Sequence, residues 1–478
     1  MRKIISLSSV VAGAATLTVS ASLLFTAHAQ PAAGALSIQA PQGLMVRVLP
    51  ETSAEITPAQ RNQLNVLHAS RGIGAISVAR LSPQALMATG VGQSVQLNLA
   101  PNVSFAARAL AVEKLEGGGM LWRGEVASAL SQMPPGLATF VVNGSQITGS
   151  IRTPSGDLYQ VRPLADGGTA IIKFDYATAP EDEPADFAKP TGPRMMLRPQ
   201  AMTPGANISA GARPATTSGA TRLNPAIAAR LSPAVASQLN LAARYRCLPC
   251  IYTPTTPRID VLVAYTASAQ AAAGDINALI NLAVAETNDS FTNSGVKAQL
   301  RLVGTMPVTY NDSSKSFGQM VTELAGTSDG FVDNVHAQRD ALHADVVVMI
   351  INNTAYCGMA DDIGATAATA FVVVHYSCAT GYYSFGHEVG HLLAARHDVA
   401  NDATPTPFAY GHGFRHDAPS GGWRTIMGYR CPDGGCDPRL QYWSTPSVIH
   451  NGLAMGTAAT ENNAAVWNAR AVTVAGFR

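Results

Sequence analysis

The sequence has few charged residues, and neither sign of charge predominates. Charged side chains make up 13% of the 478 residues, and 32 basic against 31 acidic residues leave a formal net charge of +1. Proteins that bind nucleic acid or acidic membrane surfaces usually carry a clear excess of positive charge. The charge balance therefore argues against both kinds of partner.

After the N-terminal segment, no stretch of the sequence is long and apolar enough to span a bilayer as a helix. At the N-terminus itself, Arg2 and Lys3 precede a mostly apolar stretch, and Ala27-His28-Ala29 is a small-x-small cleavage site. We predict that residues 1–29 are a secretory signal peptide. Serine and threonine interrupt its apolar run, so we prefer removal to membrane anchoring, and we expect a secreted protein, extracellular or periplasmic in transit.

Cysteine is scarce, with six residues in the chain. In an exported protein, six cysteines are most simply three disulfides, although they allow fifteen pairings. Proximity in the sequence favours the pairs Cys247–Cys250, Cys357–Cys378 and Cys431–Cys436.

Histidine is also scarce, yet His387 and His391 stand four residues apart with Glu388 after the first. On a helix this spacing places both imidazoles on one face, one turn apart, where they can chelate one zinc ion. Glu388 then lies beside the open coordination position and can act as a general base towards water. The apolar neighbours Val389 and Leu392 predict a buried helix, in which these polar groups would be costly without a metal. We predict one catalytic zinc ion.

A third ligand is required, and His397 is the candidate. In an unbroken helix it would lie about 15 Å along the axis from His387 and about 80° round it. The chain must therefore fold back through a left-handed residue, and the position for it is Ala394, at a cost of about 1–2 kcal/mol. If the helix instead runs straight on, the third ligand must be a carboxylate, with Asp398 or Glu461 as possibilities.

The stretch from His387 to Asp398 resembles the extended zinc signature of the metzincin metalloproteases, with Ala394 in place of its usual glycine. The segment 425–429, Thr-Ile-Met-Gly-Tyr, is similar to the Met-turn of that superfamily. Residues 442–448 resemble the segment after the Met-turn in reprolysin-like enzymes, and residues 259–266 and 378–386 resemble the bacterial peptidyl-Asp metalloendopeptidases.

This resemblance implies a zinc endopeptidase that acts on proteins or peptides. It implies that Met427 shapes the floor of the site without binding metal, and that Tyr429 binds zinc or stabilises the oxyanion. It also implies cleavage on the amino side of Asp. A buried acidic side chain needs a cation, ideally a bidentate arginine, and Arg424 and Arg430, with Arg439, flank the Met-turn.

Hydrophobic periodicity predicts an α/β (α+β) catalytic domain over residues 251–478, which matches the metzincin order with its twisted mixed sheet and active-site helix. The predicted strands cover 259–264, 299–303, 345–351 and 370–374. The predicted helices cover 274–293, 329–342 and 461–470, besides the helix that carries the zinc motif.

Residues 30–185 contain alternating segments typical of antiparallel strands, with Asn143-Gly144 as a hairpin turn. His68 is the only histidine of this region, and nothing in it has catalytic spacing. Residues 120–124 resemble the propeptides of secreted metalloproteases. We predict a mostly β pro-domain that inhibits the enzyme in a zymogen, followed by a linker and the end of the pro-region over 186–250.

Two alternatives remain open. In the first, Cys247 or Cys250 gives a thiolate to the zinc of the precursor instead of forming a disulfide, and this thiolate blocks the fourth coordination position. In the second, the chain is a catalytically inactive metzincin-fold module for binding or adhesion. The intact Glu388 argues against that second alternative, because a binding module has no use for this carboxylate.

Overall fold

The computed structural model describes residues 42–128, 134–183, 256–419 and 421–478. The predicted signal peptide, residues 184–255 and, with them, Cys247 and Cys250 lie outside the described residues. Within the described ranges, no helix combines the length and the apolar character that crossing a bilayer requires.

The first unit is a ten-stranded sheet with the strand order β1-β4-β5-β6-β7-β8-β9-β10-β3-β2. Its strands are β1 Gln42–Gly43, β2 Met45–Pro50, β3 Ile73–Leu81, β4 Ser94–Ala100, β5 Val103–Lys114, β6 Met120–Val126, β7 Gly136–Asn143, β8 Gln146–Arg152, β9 Leu158–Pro163 and β10 Thr169–Phe174. Helices α1 Pro58–His68 and α2 Pro83–Met87 accompany them.

Alternation explains why these segments form strands. In β4, for example, Val95, Leu97 and Leu99 are buried while their neighbours are half-exposed, as expected for a sheet with one face on a core. The sheet almost closes on itself, because β1 and β2 lie at its opposite edges and only Leu44 separates them in the chain. The predicted mostly β region is therefore present.

The second sheet has five strands in the order β12-β11-β13-β15-β14, parallel except for the antiparallel edge strand β14. The strands are β11 Arg258–Thr266, β12 Gln299–Val308, β13 Val346–Ile351, β14 Gly358–Ala360 and β15 Phe371–His375. The surrounding helices are α3 Ala267–Ala273, α4 Ile276–Ser294, α5 Phe317–Ala325, α6 Asn334–Ala341, α7 Tyr376–Ala379 and α8 Ser384–Leu392. This is the predicted mixed sheet.

The sequence prediction lacks four elements of this layer, namely helices α3, α5 and α7 and strand β14. The helix expected over 329–342 is shorter, because α6 begins only after Asp333. The C-terminal part contains β16 Arg415–His416, β17 Trp423–Arg424, β18 Thr445–His450, β19 Leu453–Met455 and helix α9 Asn463–Val474. Disulfides join Cys357 to Cys378 and Cys431 to Cys436, as predicted.

Helix α4 lies between the second sheet and the ten-stranded sheet. On the latter side its Glu286 carboxylate accepts a hydrogen bond from the Ser150 hydroxyl, and Asp289 forms an ion pair with Arg123 at 2.8 Å. The end of the ten-stranded unit lies against the edge strand β14 of the second sheet, because the Gly358 amide donates a hydrogen bond to the carbonyl of Asp182.

Candidate active site

Helix α8 carries the zinc motif and ends in a left-handed turn at Ala394, whose φ is 75°. The amide of Ala394 donates to the carbonyl of His391 at 2.7 Å, and the amide of Ala395 donates to the carbonyl of Gly390 at 3.0 Å. These two bonds form a Schellman cap, which glycine usually completes. The turn required by the three-histidine arrangement thus forms with alanine at the strained position.

The chain then runs back beside the strand-like segment 411–413. The Arg396 amide donates to the carbonyl of Gly411 at 2.7 Å, and His412 Nδ1 donates to the carbonyl of His397 at 3.0 Å. These bonds fix the backbone of His397. His412 therefore supports the turn through its ring.

The imidazoles of His387, His391 and His397 converge on one point and are buried. Their Nε2 atoms lie 3.2 Å apart for His387 and His391, 3.2 Å for His387 and His397, and 3.0 Å for His391 and His397. His387 Nδ1 donates to the carbonyl of Ile426 at 2.9 Å, and His391 Nδ1 donates to the carbonyl of Ala395 at 2.8 Å. Because Nδ1 carries the proton in these rings, their Nε2 lone pairs point towards the centre.

This donor set fits zinc. Zn–N bonds of 2.0–2.1 Å in a tetrahedron put ligand nitrogens about 3.3 Å apart, close to the separations between these Nε2 atoms. Burial lowers the pKa of His387 well below its usual value and also lowers that of His391, so both rings stay neutral. Converging lone pairs of neutral rings repel one another without a cation, and carbonyl partners on Nδ1 are the usual support of metal-bound histidines.

A fourth group, which the sequence prediction missed, completes this cluster. The buried carboxylate of Glu183 lies 3.0 Å from His391 Nε2 and 2.7 Å from His397 Nε2. Burial raises the pKa of this carboxyl, but the facing His391 and His397 lower it further, to well below its usual value. Glu183, His387, His391 and His397 together form a group able to hold one metal ion.

The two carboxylates proposed as alternative third ligands are engaged elsewhere. Asp398 Oδ2 accepts a hydrogen bond from the Tyr429 amide at 2.9 Å. Glu461 accepts from the hydroxyls of Thr457 and Thr460. Of the three candidates for the third position, it is the His397 ring that lies beside His387 and His391.

Glu388 is fully buried on α8, and its carboxylate oxygens accept no hydrogen bond in the described part of the chain. Burial, followed by the negative charge of Glu183, raises the pKa of Glu388 well above its usual value. Gly358 at the start of β14 leaves room for it: a Cβ there would meet Glu388 Oε1 at 2.2 Å. The carboxylate is thus held in a tight slot beside the histidines.

The Met-turn residues lie beneath and beside this cluster. Met427 is buried below α8, where its sulfur faces Gly390. The ring of Tyr429 lies 4.1 Å from that of His397, centroid to centroid, and its hydroxyl donates to Glu183 Oε2 at 3.1 Å. The Tyr429 hydroxyl therefore contacts the same Glu183 oxygen that lies beside His397 Nε2.

The three arginines near the Met-turn have different surroundings. Arg424 is buried and donates to the carbonyls of Cys436 and Asp437 and to the Tyr382 hydroxyl. Arg430 is half-buried and pairs with Asp437 at 3.2 Å. Arg439 is fully buried and pairs with Asp182. Of these three, Arg439 is the arginine that binds a carboxylate next to Glu183.

No sequence signal pointed to Glu183. It belongs to a short acidic run, Glu181-Asp182-Glu183, at the end of the ten-stranded unit, and such runs are usually solvated. Its distance from the histidines along the chain hides the contact, which only the packing of the two units creates.

Comparisons with known proteins identify the family of the chain. Residues 255–444 match Reprolysin_5, Metallo-peptidase family M12. The chain is 38% identical over 378 residues to the peptidyl-Asp metalloendopeptidase of Stenotrophomonas maltophilia (strain K279a), covering 77% of this chain and 79% of the relative. The protein of the same name from Xanthomonas campestris pv. campestris is 38% identical over 378 residues, with 77% and 78% covered.

A further peptidyl-Asp metalloendopeptidase, from Pseudomonas fragi, is 36% identical over 193 residues, which cover 40% of this chain and 100% of that protein. The long alignments with the first two relatives extend beyond the residues that match the family. With this degree of identity over most of its length, the chain belongs to the reprolysin-like metallopeptidases of family M12, among the zinc metalloendopeptidases.

Proposed function

We propose that this metalloendopeptidase is secreted as a latent precursor, uses Glu388 as its general base, and prefers peptide bonds on the amino side of aspartate. The observation that carries the proposal is the convergence of three buried imidazoles beside a buried Glu388 carboxylate that has no hydrogen-bond partner among the described residues. The specificity rests on the names of the relatives and on the buried arginines near the Met-turn.

In the reaction, His387, His391 and His397 would hold the metal. A bound zinc ion would act as a Lewis acid, which polarises the peptide carbonyl and lowers the pKa of water. Glu388 takes the proton from the attacking water and passes it to the leaving amine. The Tyr429 hydroxyl, which now donates to a Glu183 oxygen, donates to the carbonyl oxygen as negative charge develops there.

Latency is supported by Glu183. Its carboxylate is the fourth possible metal ligand of the cluster, beside His391 and His397, so it would take the coordination position that water needs. The predicted inhibition by the pro-domain thus has a carboxylate available as its blocking group, whereas the alternative thiolate from Cys247 or Cys250 lies outside the described residues and stays a prediction. The two disulfides of the catalytic part are compatible with export.

The blocking role is tested in the metal-loaded precursor, with Glu388→Gln added to prevent self-processing. Acetohydroxamate, a small metal chelator, serves as the probe of the open position. Glu183→Gln should bind it at least about tenfold more tightly, because apparent affinity scales with the fraction of open sites. The matched control Glu181→Gln changes an exposed neighbour and should have no effect. Equal affinities for the parent and Glu183→Gln would contradict the blocking role.

The specificity is tested by incubating processed enzyme with unfolded protein and identifying the new N-termini by mass spectrometry. We expect aspartate to be strongly enriched at the first position of the products. Hydrolysis without such enrichment would remove the preference from the proposal and leave the endopeptidase activity intact.

A further inference from the structure

Arg439 presents a fixed positive charge inside the protein. Its guanidinium lies 4.3 Å from the centroid of the Tyr382 ring, and Nη1 donates to the Tyr382 carbonyl at 3.1 Å. A backbone bridge ties Arg439 to Arg424 just before the Met-turn. Since the side chain is fully buried, this charge requires an anionic partner.

The partner is Asp182, which is buried and forms an ion pair with Arg439 Nη2. Asp182 directly precedes Glu183 in the chain. One residue therefore pairs with Arg439, and the next contacts the imidazoles of His391 and His397. The backbone of the segment lies along the sheet edge, where the Cys357 amide donates to the Glu181 carbonyl at 2.8 Å and the Gly358 amide donates to the Asp182 carbonyl at 3.0 Å. Addition of a strand to a sheet edge is a common mode of peptide recognition.

The pair leaves bonding capacity unused. Arg439 Nε and Asp182 Oδ1 are buried and have no hydrogen-bond partner in the described part of the chain. A carboxylate that engages both Nε and Nη2 would form the stronger, two-point pair. The pocket can therefore accept another acidic side chain at least as well as it accepts Asp182.

We propose that Arg439 is the residue that selects aspartate in substrates, and that Asp182 occupies its pocket in the precursor. The inference rests on the proposed function and names the residue behind its specificity. Arg424 is less suited to this role, because its bonds to two backbone carbonyls and the Tyr382 hydroxyl already hold it in place. Arg430 is compensated by Asp437.

The direction of the segment explains why occupation of this pocket does not lead to cleavage. Cleavage on the amino side of aspartate requires the carbonyl of the preceding residue to lie at the metal. Here the following residue, Glu183, reaches the imidazoles, while the preceding carbonyl, that of Glu181, is bound to the Cys357 amide on the sheet edge. The segment therefore blocks the site in the reverse direction from a substrate.

The selectivity is tested on processed enzyme with two peptides that differ only in Asp or Asn after the scissile bond. Arg439→Gln should lower the Asp-to-Asn ratio of kcat/KM by at least about 30-fold, because it removes one partner of a buried charge pair. Arg301→Gln, an arginine paired with Asp260 away from the site, serves as the matched control and should leave the ratio unchanged. An unchanged ratio in Arg439→Gln would overturn the inference.

Failure of the proposed function would look different, because the unsubstituted enzyme would then hydrolyse neither peptide or would hydrolyse both equally well. If Arg439→Gln does not fold, as judged by zinc content and thermal unfolding, Asp182→Asn in the precursor decides the question. This neutral isostere should raise the affinity of the metal-loaded Glu388→Gln precursor for acetohydroxamate by about tenfold, because residues 181–183 would then spend more time away from the metal cluster. An unchanged affinity would contradict the role of the pocket.

Discussion

Glu286 is a buried carboxyl whose ionisation should make the stability of the precursor depend on pH. It lies on α4 between the two sheets, where one oxygen accepts from Ser150 and the other accepts from the Gly381 amide at 2.7 Å. Burial is the largest influence and raises its pKa from 4.5 to about 7, although both hydrogen bonds and the charge of Arg162 act to lower it.

Because the pKa of Glu286 is raised, its ionisation should lower the stability of the folded state as pH increases. A carboxyl with a raised pKa favours its neutral form in the folded state, so the folded state loses stability as pH rises from 4.5 to about 7. Between these limits the loss amounts to about 3 kcal/mol, at 1.36 kcal/mol per pKa unit. Below pH 4.5 the side chain is neutral in both states and contributes no such dependence.

Glu286→Gln removes this ionisation and keeps the shape of the side chain. Its amide oxygen can accept from Gly381, and its amide nitrogen can donate to the Ser150 hydroxyl. We expect the variant to be more stable than the parent at pH 8, by up to about 3 kcal/mol, and to approach it at pH 4.5. The assay is denaturant unfolding of the precursor across this range, with exposed Glu116→Gln as the control. Parallel pH profiles for parent and Glu286→Gln would refute the reasoning.

Three further changes test the geometry of the site. Ala394→Gly should raise the free energy of unfolding by up to about 1 kcal/mol, since relief of left-handed strain exceeds the added freedom of glycine in the unfolded chain; a loss of stability in denaturant unfolding would contradict this. Gly358→Ala should displace the Glu388 carboxylate and lower kcat by up to about 100-fold with zinc content unchanged, and an unaltered kcat would show that the slot is not required. Replacing both Cys357 and Cys378 by serine opens a loop of sequence separation 21 and should lower the free energy of unfolding by about 3 kcal/mol, whereas an unchanged denaturation midpoint would count against that contribution.

The three histidines of the cluster were accessible to sequence reasoning because they come from one short stretch. Helical geometry relates His387 to His391, and the position of His397 requires a left-handed residue whose place, Ala394, follows from the spacing. The central strands were equally accessible, since β13 is a continuous buried run. Such features depend on local geometry alone.

Elements that depend on contacts between distant segments were not accessible. Glu183 joins the histidines only because the two units pack together. The same packing brings Asp182 to Arg439, and this ion pair is what sets Arg439 apart from Arg424 and Arg430. Strand β14 is too short to show a periodicity. Helix α5 is a different case, because Ser316 and Gln319 form a capping box, which is a local sequence signal for the start of a helix.

The zinc centre and its general base are tested most directly by comparing processed wild-type enzyme with Glu388→Gln in zinc content and peptide hydrolysis. We predict one zinc ion per chain in both proteins, because Glu388 is not among the proposed ligands, and hydrolysis by the wild type alone. Zinc in neither protein would contradict the three-histidine centre. Comparable hydrolysis by both proteins would contradict the role of Glu388 as the general base.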